Sequence, residues 1–80
     1  MKVSVLLFAR YREAAGARSI DVEVPVNATL ADVWAGVRSK IPALGRDERP
    51  MFSCDRVYAR EDQSVRGCEE IAVFPPVSGG

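Results

Sequence analysis

The sequence predicts an α+β domain, a mixed sheet with one main amphipathic helix packed on one face. Three observations predict it. Residues 19–24, SIDVEV, alternate between polar and apolar side chains. Residues 29–41 carry apolar side chains at helical spacing behind a capping pattern. The apolar run that ends at Phe74 stops at Pro75-Pro76. Alternation with a period of two marks a half-buried strand, and recurrence at three and four marks a helix with one buried stripe.

The first strand runs from Val3 to Phe8. Val3, Val5 and Leu7 share one face, and Ser4, Leu6 and Phe8 the other. The segment ARYREAAGAR follows, with Gly16 as its turn or helix-stop residue. Ser19 to Val24 is the second strand, paired with the first as a hairpin, and Pro25 ends it. Thr29 opens the helix: TLAD is a capping-box pattern, in which Thr29 and Asp32 each satisfy the other's backbone N–H. Leu30, Val33, Trp34, Val37 and Ile41 form the apolar stripe, with Trp34 in the core, and Pro42 stops the helix. Residues 43–50 read as a polar loop. Met51 to Tyr58 holds one or two short strands, 59–69 reads as turn and loop, and Glu70 to Phe74 is the last strand. At this length, that order is the β-grasp or ubiquitin-like arrangement. It divides the chain into a β-grasp domain over 1–74 and an extended tail over 75–80.

Composition bounds the function. Eighty residues make one small domain. Eleven basic residues balance eleven acidic ones, which removes any general attraction to nucleic acid or acidic membranes. No run of about 18 apolar residues could span a bilayer. The start, MKVSVLLFARYRE, alternates as a strand and lacks a small-residue cleavage site, so the expected location is cytoplasmic. Cys54 and Cys68 form no CxxC pair and the chain has no histidine, so no metal site is expected. A cytoplasmic setting argues against a disulfide, and the two cysteines are expected to be inert, partly buried thiols.

Two phenylalanines fall on the face away from the helix. A single helix covers one side of the sheet, and the branched pairs Val5/Leu7 and Ile71/Val73 suit that side. Phe8 and Phe74 then share the open side with Leu6, between residues such as Ser4 and Glu70 that mark it as wet. An exposed apolar patch on a small domain marks a partner surface.

The patch lies at the root of the ending PPVSGG. Pro75-Pro76 stops the sheet and projects a stiff arm. Val77 and Ser78 extend it, and Gly79-Gly80 makes it thin and free of side-chain bulk. The arm can reach about 20 Å. The group it delivers is the Gly80 carboxylate, which is a poor electrophile until activated, most simply as an acyl-adenylate made with ATP. With no nucleophile–base pair and no phosphate loop in the sequence, the chain reads as a carrier or substrate for other enzymes.

VLLFARYREAAG (5–16) resembles the FA-x-x-RE-x-x-G start of molybdopterin synthase small subunits, and EEIAVFPPVSGG (69–80) resembles their ending. The resemblance implies a ubiquitin-like sulfur carrier of molybdenum cofactor biosynthesis. Gly80 would be adenylated by a ubiquitin-activating-like adenylyltransferase and converted, through a sulfur donor, to a thiocarboxylate. Pro75, Pro76, Val77, Ser78 and Gly79 would thread into a large subunit within a heterotetramer. There the carried sulfur would build the dithiolene of molybdopterin from cyclic pyranopterin monophosphate. Phe8 and Phe74 match interface positions, and Arg12 and Glu13 match the RE pair, with Arg12 at the interface. The resemblance implies no bound cofactor, ATP being used by the activating enzyme. The family pattern differs at two places: many members have Asn within the stretch FSCDR (52–56) and Asp-Gly at Gly67-Cys68. A protein modifier that forms isopeptide bonds, or a sulfur carrier for another pathway such as thiamine, would share the terminal Gly-Gly.

Overall fold

The computed structural model describes residues 1–45 and 48–76. Its elements are β1 (Lys2–Leu7), α1 (Ala9–Ala15), β2 (Ser19–Glu23), α2 (Leu30–Lys40), β3 (Met51–Cys54), β4 (Val57–Ala59) and β5 (Ile71–Phe74). The strands form one sheet in the order β2-β1-β5-β3-β4. β1 pairs antiparallel with β2 and parallel with β5, and β3 pairs antiparallel with both β5 and β4. The first and last strands are therefore neighbours in the middle of a mixed sheet, and the fold is a β-grasp.

The core forms where the helix stripe meets one face of the sheet. Leu30, Val33, Trp34, Val37 and Ile41 are buried against Val5, Leu7, Val22, Phe52, Ile71 and Val73. Trp34 is 8% exposed and belongs to this core. The Asp32 carboxylate accepts the Thr29 N–H at 2.9 Å and closes the capping box at the helix start. Gly36 lies where α2 crosses β2, and a Cβ placed there would come 3.1 Å from Val22 Cβ. The absence of a side chain thus sets the spacing of helix and sheet. Gly36→Val is expected to destabilise the domain by about 1–3 kcal/mol through overpacking, read as a lower denaturation midpoint.

The segment after β1 contains a second helix, α1, beyond the one main helix expected. It is short, carries a single buried side chain, Tyr11, and ends at Gly16, whose φ of 69° is left-handed. Glycine adopts that conformation without a Cβ penalty. Tyr11 is fully buried and packs on Trp34, with ring centroids 5.2 Å apart. Its hydroxyl donates to Glu48 Oε1 at 2.9 Å, and Arg10 reaches the same oxygen at 2.5 Å. Burial first, then the bond to the Glu48 carboxylate, pushes the phenol up to about 12 from its usual 10.0. Hydrogen bonds from Arg10 and then Tyr11 hold the Glu48 carboxyl below its usual range. A raised phenol favours the neutral form in the folded state. The stability this contributes is full below pH 10 and lost as pH rises towards 12. We expect the Tyr11 phenolate absorbance, followed in a Tyr58→Phe background, to rise near pH 12 together with loss of the fold.

The cysteines differ from expectation. Cys54 and Cys68 are joined in a disulfide with a Cα–Cα distance of 5.4 Å, where free thiols were expected. The reason is topological. Cys54 pairs with Ile71 in the β3–β5 register, so the residues that lead into β5 return beside the end of β3. The 60–70 loop is also fixed at its middle: the Leu30 and Ala31 N–H groups donate to Gln63 and Glu61 carbonyls, and Val65 N–H donates to the Ala28 carbonyl. The expectation rested on the expected compartment and on the usual burial of free cysteine, and neither carries information about this closure.

Pro75 and Pro76 follow β5 outside any strand. The expectations for Val77, Ser78, Gly79 and Gly80 lie outside the described residues. No helix among the described residues is long and apolar enough to cross a membrane.

Candidate functional site

Strand register builds the site on the face opposite α2. Leu6 points away from the core between buried Val5 and Leu7. It pairs with Ala72, Ala72 with Ser53, and Ser53 with Tyr58. This row crosses four strands on the open face. Phe74 lies two residues beyond Ala72, towards the tail, and opposite Met51.

Phe8 completes the apolar surface, though from outside β1. It is the extended N-cap residue of α1, one position past the strand. The next residue, Ala9, is left-handed with a φ of 52°, a conformation that costs an L-residue about 1–2 kcal/mol. That bend carries the chain from strand to helix and leaves Phe8 46% exposed. Its ring meets Phe74 edge-on, with centroids 6.2 Å apart and planes at 86°. Tyr58, 71% exposed, lies against the other side of Phe74 at 5.7 Å. Phe8, Phe74 and Tyr58 thus form one aromatic row along an open cleft of about 700 Å³ floored by Leu6 and Ala72.

Arg56 and Glu70 form the rim, with Arg56 Nε 3.4 Å from Glu70 Oε1. The pair is largely solvated and contributes little stability. Arg12 stands on the other side of Phe8, in a smaller recess with Leu6, Leu7 and Arg18. Of the residues expected at an interface, Phe8 and Phe74 are in contact, and Arg12 flanks Phe8 without entering the aromatic row. Tyr58 and Arg18 were missed from the sequence. β4 is three residues long, too short for alternation to reveal its faces. Val57 and Tyr58 are both exposed in that strand, and the sequence carried no signal for the face that Tyr58 takes.

The cleft offers apolar contact edged by charge. Among the described residues no group of three or more His, Cys, Asp or Glu could hold a metal ion. The surface is suited to docking a partner, and β5 leads directly from it into Pro75.

A β-grasp domain with an aromatic outer face and a Gly-Gly terminus falls in the ubiquitin-like class. The ThiS family model matches residues 5–80, and the chain belongs to that family. It is 31% identical over 83 residues to the molybdopterin synthase sulfur carrier subunit of Chlamydomonas reinhardtii, covering 100% of both chains. It is 32% identical over 83 residues to the small archaeal modifier protein 1 of Haloferax volcanii, covering 92% of this chain and 95% of that one. A crystal structure of that modifier matches with a TM-score of 0.80 and 29% identity over the whole of both chains.

Proposed function

We propose that this chain is the sulfur-carrier subunit of a molybdopterin synthase. What supports the reading is the continuity of an apolar docking face with the strand that leads into PPVSGG, in a chain that aligns over the whole of such a carrier. A Gly80 carboxylate oxygen attacks the α-phosphorus of ATP in a ubiquitin-activating-like adenylyltransferase, forming the acyl-adenylate and releasing pyrophosphate. Sulfide delivered by a donor attacks the acyl carbon, AMP leaves, and a thiocarboxylate remains. The domain then docks through Phe8, Phe74 and Tyr58 on the large subunit. The arm from Pro75 to Gly79 enters that subunit's site, and the sulfur passes to cyclic pyranopterin monophosphate. Water cleaves the acyl–sulfur bond, and Gly80 returns as a carboxylate. The domain contributes docking and delivery, and its partners supply the catalytic groups.

The test is intact mass after incubation with ATP, activating enzyme and sulfide, followed by addition of the large subunit and the pterin. Exchange of one oxygen for sulfur at the C-terminus, reversed as pterin is converted, supports the carrier. The likeness to the archaeal modifier favours one second reading, conjugation of Gly80 to lysines. Stable lysine conjugates, with no thiocarboxylate consumed by the pterin, would select it.

A further inference from the structure

The cross-link lies directly behind the rim of the docking cleft. Cys54 is the last residue of β3, and the next two, Asp55 and Arg56, make the turn into β4. Both turn residues are left-handed, with φ of 53° and 70°. Neither is glycine, so the turn is held against its own backbone preference.

The holding contacts all run to the segment that follows Cys68. The Asp55 N–H donates to the Glu70 carbonyl at 2.8 Å. Asp55 Oδ1 accepts the Glu69 N–H at 2.9 Å and the Glu70 N–H at 2.8 Å. The disulfide closes this clamp covalently, since it joins the residue before Asp55 to the residue before Glu69. Arg56 and Glu70 are the cleft's rim, and Tyr58 lies two residues beyond the turn. The two cysteines are only half-buried, so a small reductant can reach them.

We propose that Cys54–Cys68 is a thiol–disulfide site that sets the shape of the docking cleft. Oxidised, it holds the left-handed turn and keeps Arg56 and Tyr58 in place beside Phe74. A dithiol reductant supplies two electrons and two protons, the S–S bond breaks to two thiols, and the reductant becomes a disulfide. The turn then relaxes and the rim loses its fixed geometry. The proposal rests on the docking reading above, and its first measurement is independent of that reading.

Amide hydrogen exchange on the full chain, oxidised and after dithiothreitol, reads the clamp. Exchange at Asp55, Glu69 and Glu70 is expected to quicken at least about tenfold on reduction, as local opening becomes easier, with Val73 in the central strand unchanged. The double variant Cys54→Ser/Cys68→Ser should behave as the reduced form under oxidising conditions. Affinity for a molybdopterin synthase large subunit should fall about three- to tenfold in both, in the range of a rim contact rather than an anchor. Equal exchange in the two redox forms overturns the proposal, and so does faster exchange with unchanged affinity. Failure of both forms to bind the large subunit overturns the proposed partner and, with it, control of docking to that partner. The exchange comparison still decides whether the clamp exists.

Discussion

Removal of Gly80 is expected to abolish thiocarboxylate formation and leave the melting temperature unchanged. The core is built from residues between Val5 and Val73, so the fold is expected to stand without the terminal glycine. What the deletion removes is the last residue, and with it the position of the Gly80 carboxylate. The shortened chain still ends in a carboxylate, one residue nearer the domain. If adenylation needs only a carboxylate, the variant remains active. If it needs that group at full reach, about 3.5 Å of lost extension places it outside the activating site. Intact mass after treatment with ATP, activating enzyme and sulfide, beside a thermal melt, separates these outcomes. Normal sulfur loading in the truncated protein would remove the terminal-carrier reading.

Phe74→Ala is expected to weaken binding to the large subunit by about 30-fold, equivalent to about 2 kcal/mol for a central aromatic anchor. Phe74 touches both other aromatics of the cleft, Phe8 and Tyr58, so its loss leaves the row without its middle. Phe8→Glu should cost at least as much binding, since it sets an unpaired charge in the apolar contact. Phe8 is exposed in the free domain, and this change should barely alter the fold. Phe74 is half-buried, and its truncation should lower stability modestly as well. Titration calorimetry with each variant, next to denaturation curves, distinguishes the roles. Full affinity in a weakened fold would assign the rings to packing alone.

The parts of this structure visible in the sequence are those that repeat. Ile20, Val22 and Val24 on one face, and Leu30, Val33, Trp34, Val37 and Ile41 on one stripe, are periodic signals that tertiary packing then uses unchanged. The same alternation placed Leu6 and Phe74 on the open face. It extended β1 one residue too far, to Phe8, because no local signal shows that Ala9 takes a left-handed bend. Helix α1 is two turns with one buried residue, so it has no stripe to detect. The Asp55-Arg56 turn lacks the glycine that would announce it, and its stability comes from hydrogen bonds to residues 69 and 70. The disulfide is long-range in the same sense: a register between β3 and β5 creates it, and spacing alone does not encode a register. Tyr58 enters the cleft by that route too, through two successive strand pairings.

The central position of β5 has a mechanical consequence. The strand that bears the tail is hydrogen-bonded on both edges, parallel to β1 and antiparallel to β3. Tension between the two termini would pull β1 and β5 past one another along their length. All the ladder bonds between them then share the load and must fail together, as in a lap joint, rather than opening one by one like a zip. A partner that grips the end of the chain would therefore tug it without unravelling the strand it emerges from. Single-molecule pulling should show this as a higher rupture force for traction between the two termini than for traction between Ala59 and Gly80, which leave the sheet at the same end. In the second geometry the edge strand β4, bonded only to β3, can peel away first.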